Sequence, residues 1–257
     1  MLSNVCGSSL PVIQVGTAGW SIPRLHAEQL PTAGSHLERY ARTLACTEIN
    51  STFYRPSRPS TLLRWAASVP DNFRFSLKAP KAITHEAALA TDPATLGALH
   101  AFLDQARAFG PKLGPILFQL PPRQSFDPTR ARAFFTELRT LYSGSIALEP
   151  RHPTWFTPEA NSLLIEFDIA RVAADPARVP EAAHPGGSTK LLYYRLHGSP
   201  RIYYSPYASD YLKALAFELS AKPPQTEAWV IFDNTASGAA LGNALSLSLL
   251  LEPGAPI

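Results

Sequence analysis

The side chains able to do chemistry in this sequence recur at the ends of short apolar runs. They are Glu48 with Asn50, Ser76 with Lys78, Gln119, Glu149 with Arg151, Asp175, Arg195 with His197, and Asp233. Thr17 closes the first run in the same way. Pairs two residues apart share one face of a β-strand, so each run would present its polar end to the same side. Carboxylates, an imidazole, an amine and two guanidiniums brought together suit proton transfer and the binding of anions. The acid–base candidates are Glu48, Glu149, His152, Asp175, His197 and Asp233. Candidates for holding a substrate are Trp20, Asn50, Tyr54, Lys78, His85, Gln119, Arg151, Trp155, Arg195 and Asn234. His152 and His85 enter as loop histidines suited to proton transfer or to structural hydrogen bonds. Trp20, Phe53, Tyr54, Trp155, Tyr203 and Tyr204 lie just past the runs, where aromatics can stack a sugar ring or a base, or simply cover the site.

Eight runs rich in β-branched and aromatic residues must position these groups. They fall at Val12–Gly16, Cys46–Asn50, Phe73–Lys78, Ile116–Leu120, Ile146–Glu149, Arg171–Asp175, Leu191–His197 and Trp229–Asp233. Helical patterns alternate with them. Ser35 and Glu38 have capping-box spacing, and Asp127-Pro128 and Thr157-Pro158 place a capping side chain before a first-turn proline. Further periodic stretches lie at Thr61–Ala67, Thr95–Phe109, Asp210–Leu219 and Gly238–Leu250. Pro176–Lys190 breaks the pattern and is expected to be an irregular loop in place of the sixth helix. The eightfold alternation predicts a single (β/α)8 TIM-type barrel spanning the 257 residues, with its core at about 12–250. A doubly wound sheet is disfavoured because GTAGW at 16–20 lacks the dinucleotide-binding glycine spacing. No nicotinamide or flavin motif is present, nor any serine-hydrolase elbow, P-loop or zinc-protease motif.

Glu149, Asp175, His197 and Asp233 come from four successive runs and carry donors that suit a divalent metal. A cation there would polarise a carbonyl or enediolate oxygen while a carboxylate moves the proton. This set resembles the metal site of sugar isomerases and epimerases built on such barrels, whose last ligand is usually a glutamate. Arg151 and Arg195 share the same faces and compete for the same carboxylates. Read without a ligand, Glu48, Glu149, Asp175 and Asp233 would balance Lys78, Arg151 and Arg195 as a self-neutralising network. Read as an anion site, the three cations would hold a phosphate or carboxylate.

The formal charge of +3 and the high isoelectric point of about 8.9 arise from scattered Lys and Arg. A small polar or anionic ligand is therefore the expected partner. Nucleic acid is the alternative, without a basic cluster to support it. No run is long enough for a membrane span, and the amino terminus lacks the features of a secretory signal, so a cytoplasmic location is expected. Two cysteines, Cys6 and Cys46, are too few for a disulfide scaffold.

The motifs GTAGW (16–20), EINSTFYR (48–55), KAPKAITH (78–85), FQLPP (118–122), EPRHPTW (149–155), RLHG (195–198) and FDNT (232–235), taken in order, closely resemble the YecE-like family, a domain of unknown function. The resemblance implies a TIM-type barrel with the motif residues gathered at one end, and it implies no reaction. Pro150 departs from the aromatic residue that the family commonly has between the glutamate and the arginine. An enzyme acting on a sugar-like or phosphorylated substrate is the first functional expectation. A non-catalytic binder of nucleic acid or an anionic metabolite is the second, and a purely structural network the third.

Overall fold

In a computed structural model, residues 11–252 are described; Cys6 and the amino-terminal segment before residue 11 lie outside them. Seven parallel strands circle the axis: β1 (Val12–Ala18), β2 (Cys46–Ile49), β3 (Arg74–Lys78), β4 (Leu113–Gln119), β5 (Ile146–Glu149), and, beyond a divided sixth position, β9 (Leu191–Leu196) and β10 (Glu227–Phe232). The sixth position is shared by β6 (Ile169–Arg171) and β7 (Ala173–Asp175), with a two-residue β8 (Gly186–Gly187) antiparallel to β6. Strand β6 pairs with β5 and β7 pairs with β9, so the break at Val172 hands the sheet from one neighbour to the other. β10 pairs with β1, so the circle is interrupted only between β6 and β7. The eight expected runs are thus the eight barrel positions, with ends that differ by a few residues.

Helices α1 (His36–Ala41), α2 (Pro59–Ala67), α3 (Pro93–Ala106), α4 (Pro128–Leu141), α5 (Pro158–Glu166), α6 (Ser209–Ser220) and α7 (Ala239–Leu250) wrap the strands. Their starts follow from local chemistry. Ser35 and Glu38 form the reciprocal capping box, Asp127 accepts from the Arg130 amide at 3.0 Å, and Thr157 accepts from the Ala160 amide at 3.3 Å. No helix stands between β7 and β9. The Pro176–Lys190 segment holds only a short turn at Pro180–Ala183 and β8, as its prolines and glycines dictate.

Two apolar layers result. The larger packs helices onto the outer face of the strands, with Phe75, Phe109, Phe118, Phe134 and Phe135 among its members. The smaller fills the barrel itself: Cys46, Leu117, Ala147, Ala170, Val172, Leu191, Tyr193, Trp229 and Ile231, with Tyr193 stacked on Trp229 at 6.1 Å. This interior list fixes the parity of every strand. Residues two further on from Cys46, Leu117, Ala147, Tyr193 and Ile231 also point inward, namely Glu48, Gln119, Glu149, Arg195 and Asp233.

Gly16 is where β1 approaches β2 most closely, because a Cβ there would lie 2.0 Å from the Cys46 carbonyl oxygen, a backbone atom that cannot swing aside. Gly16→Ala is expected to cost at least about 2 kcal/mol, lowering Tm by roughly 4–8 °C in thermal denaturation followed by circular dichroism. Gly97→Ala, in α3 with open space around it, should instead raise Tm slightly.

Candidate functional site

Arg195 lies at the centre of the inward-facing polar ends. Its side chain is 1% exposed, and its partner Glu48 is 0% exposed. Nε and Nη2 donate to the two oxygens of Glu48 at 3.0 and 2.7 Å, a bidentate pair across the barrel from β9 to β2. Nη1 donates to Glu149 at 2.6 Å, and Nη2 also reaches Asp233 at 3.1 Å. Tyr193, one inward position below, donates its hydroxyl to Glu48 at 2.9 Å while standing 2.8 Å from Ser76 Oγ. Burial would lower the Arg195 pKa, but Glu48, Glu149 and Asp233 outweigh it and hold the guanidinium more firmly protonated than usual.

Arg151 closes over Glu149 from the loop after β5, donating from Nε to Oε1 at 2.9 Å with Nη2 2.8 Å from the same oxygen. Burial pushes the Glu149 carboxyl upward; Arg195 and Arg151 overcome it and keep that carboxyl well below its ordinary range. His197 lies beyond Arg195 on the same face, at the end of β9. Its Nδ1 is 3.0 Å from Asp233 Oδ2, which fixes the tautomer. Its Nε2 is buried, makes no hydrogen bond, and lies 3.5 Å from Glu149 Oε1. Burial lowers the His197 pKa, but the neighbouring carboxylates Asp233 and Glu149 prevail and raise it above the ordinary histidine value. Asp233 is held below the ordinary aspartate value, with Arg195 overcoming the effect of burial.

Of these groups Glu149, Arg151 and His197 line a cavity of about 230 Å³, together with Arg178, Ile202 and Tyr203 among others. Tyr203 meets the His197 ring edge-on at 5.9 Å. A second cavity, of about 340 Å³, opens over the start of α4 and is lined by His85, Arg123, Gln124, Arg130 and Trp155 among others. Lys78 ends β3, with its Nζ 4.3 Å from the Phe53 ring centre.

The structure therefore brings Glu48, Glu149, Arg151, Arg195, His197 and Asp233 together and leaves other expected residues elsewhere. Asp175 does not face the cluster. Ala170 and Val172 point into the barrel, so Ala173 and Asp175 take the opposite face, and Asp175 accepts from the Tyr207 hydroxyl at 2.7 Å. The four-residue metal set Glu149, Asp175, His197 and Asp233 is accordingly not assembled, and arginines occupy its two inward carboxylates. Among the described residues no other group of three acidic, histidine or cysteine side chains is placed to hold an ion.

Thr17 likewise turns outward, to the Tyr40 hydroxyl at 3.0 Å. His152 serves as a cap, accepting from the Thr154 amide at 3.3 Å. Asn234 is fully buried and donates to the Ser205 carbonyl and Asn243, fastening loops rather than facing a ligand. Trp155 is buried, donates its indole N–H to the Gln124 carbonyl at 3.0 Å and walls the second cavity, whereas Tyr54 is exposed. Trp20 and Asn50 line a separate shallow cavity near Ser51, and Gln119 is buried at the end of β4. His85 borders the second cavity, with burial and the Lys78 charge lowering its pKa. Two members were missed. Tyr193 was legible, since Tyr193, Arg195 and His197 alternate on one face. Arg178 was not, because its irregular loop has no period.

The profile of the family described as "Protein of unknown function DUF72" matches residues 14–256, and the chain belongs to that family. It is 33% identical over 182 residues to the "UPF0759 protein YecE" of Escherichia coli K12, an alignment covering 68% of this chain and 62% of that protein. The chain thus spans less than two thirds of that curated relative's length. A DUF72 family protein of Enterococcus faecalis superposes with a TM-score of 0.76 at 21% identity, covering 93% of this chain and 95% of that one. Another, from Thermotoga maritima, gives 0.72 at 22% identity, covering 94% and 99%. These superpositions bear out the barrel. No helix of the described residues is long and apolar enough to cross a membrane.

Glu48→Gln removes one side of the central bidentate pair and leaves Arg195 undercompensated. It should cost about 3 kcal/mol or more, a drop of roughly 6 °C or more in Tm. Glu166→Gln, which breaks the exposed Arg132–Glu166 pair, should hardly move it. The depressed carboxyls of Glu149 and Asp233 add stability that is full above the ordinary carboxylate pKa and is lost as the pH falls through their native values. Glu149→Gln should therefore flatten the acid side of the stability curve measured in urea.

Proposed function

We propose that the barrel mouth is the active site of an enzyme that moves a proton on a small, polar, anionic substrate of sugar-like or phosphorylated type. The observation that carries this reading is the His197 imidazole. One nitrogen is fixed by Asp233, and the other is buried, free of a hydrogen bond and set in the wall of a cavity. A base oriented by a carboxylate through one nitrogen and without a hydrogen bond at the other is the arrangement that general acid–base catalysis needs. At about 230 Å³ the cavity is smaller than most sites for drug-sized ligands, which favours a compact substrate.

Each neighbour has a role in this reading. Asp233 holds the tautomer in which Nε2 accepts a proton from substrate, and stabilises the imidazolium that results. Glu149, 3.5 Å from Nε2 and kept ionised by two arginines, favours the same protonated form. Arg151 spends Nε and Nη2 on Glu149, so its remaining donors and Arg178 are available to a phosphate or carboxylate. Tyr203 meets the ring edge-on and lines the cavity beside it. With the carboxylates committed to arginines, His197 is the group free to exchange a proton.

Deuterium incorporation from D2O into a panel of hydroxyaldehydes and hydroxyketones, with and without a phosphate, tests the proposal by proton NMR. The wild-type protein is expected to catalyse exchange on a phosphorylated member. His197→Asn should slow it by about a hundredfold or more. Arg151→Met should raise the half-saturating concentration far more than it lowers the maximal rate. Exchange that is indifferent to His197→Asn would overturn the role given to the imidazole, and phosphate binding without exchange would make the protein a binder.

A further inference from the structure

Lys78 is the cation that the Arg195 network does not use. It closes β3 on the inward face, and its backbone is pinned there: its carbonyl accepts from Thr52 Oγ1 at 2.7 Å, and the following amide donates to the Leu117 carbonyl at 2.8 Å. The side chain is half-buried. Yet among the described residues its amine makes no hydrogen bond and no ion pair, unlike Lys112, which donates to the carbonyls of Ala66 and Val69 at 2.9 and 2.7 Å. Its Nζ stands over the Phe53 ring.

The reason lies in how the carboxylates are shared. Glu48, Glu149 and Asp233 are taken by Arg195, Arg151 and His197, and Arg195 itself adds a fixed positive charge to the mouth. Burial first and Arg195 second bring the Lys78 pKa down to about 8, against the opposing pull of Glu48, Glu149 and Asp233. An amine desolvated next to a guanidinium is available as a free base near neutral pH, which is how lysine nucleophiles are made.

We infer that Lys78 is a nucleophile that condenses with the carbonyl carbon of a small aldehyde or ketone at the barrel mouth. This deepens the reading of the mouth as a proton-transfer site by naming the substrate class, and it rests on that reading for its acid. The Nζ lone pair forms the C–N bond as the carbonyl π pair moves to oxygen. That oxygen collects two protons, one from the nitrogen and one from the imidazolium of His197, and leaves as water. The remaining amine proton stays on nitrogen as the iminium forms. An iminium draws electrons from the adjacent C–H bond, so the proton that His197 removes in the next step becomes more acidic.

The test uses the intact chain, glyoxylate as the probe and cyanoborohydride as the reductant, at about pH 7.5, with peptide mass mapping. Lys78 should be converted to a stable secondary amine at least about tenfold faster than Lys81, an exposed lysine three residues after it that is paired with Glu86. Lys78→Arg should abolish that adduct while leaving Lys81 labelling and the thermal transition unchanged. Labelling of Lys78 no faster than Lys81 in folded protein overturns the inference. The two claims separate cleanly: exchange that needs His197 with Lys78 unlabelled removes the nucleophile and keeps the proton-transfer site. Labelled Lys78 with exchange indifferent to His197→Asn keeps the nucleophile and shows that another acid serves it.

Discussion

A guanidinium buried among three carboxylates is the constraint around which the mouth of this barrel is arranged. Removing Arg195 from water would be prohibitive without compensation, and Glu48, Glu149 and Asp233 supply it through four hydrogen bonds. Those carboxylates come from β2, β5 and the end of β10, so one side chain ties together strands far apart in sequence. The geometry depends on the sheet. Only when Cys46, Ala147, Tyr193 and Ile231 point into the barrel do the residues two positions later meet at its mouth.

The same constraint decides which groups are free for chemistry. A carboxylate engaged by a buried arginine is a poor base, since its proton affinity has been lowered by the partner that holds it. Glu149 and Asp233 are therefore better suited to supporting charge than to carrying protons. His197 receives the benefit of both, one at each nitrogen, and Lys78 is left without a counterion because none remains. Acid–base work and nucleophilic reactivity thus follow from one charge distribution rather than from separate devices. A cation bound by Glu149 and Asp233 would have to displace two arginines, and it would lack Asp175, which faces the other way.

Much of this was legible in the sequence. Eight apolar runs, capping residues such as Ser35, Asp127 and Thr157, and the polar endings of the runs were enough for the barrel and for the Glu48, Glu149, Arg195, His197 and Asp233 cluster. The failures have physical causes. Asp175 looked like its neighbours in sequence, but only the partition of its strand at Val172, between β6 and β7, reveals which face it takes. His152 and Asn234 are polar residues next to strand ends that are consumed by local hydrogen bonds, a fate that depends on loop geometry. Arg178 comes to the cavity on a segment without any period, and nothing short of the fold places it there.

The measurement that bears most directly on this account is the pH titration of the His197 ring by NMR, in the wild-type protein and in Asp233→Asn. The wild-type ring is expected to titrate above the roughly 6.5 of an unperturbed histidine, and lower once Asp233 loses its charge. A ring that titrates below that value in the wild type, or that does not respond to Asp233→Asn, would contradict the claim that the carboxylates held by Arg195 and Arg151 support a proton on His197.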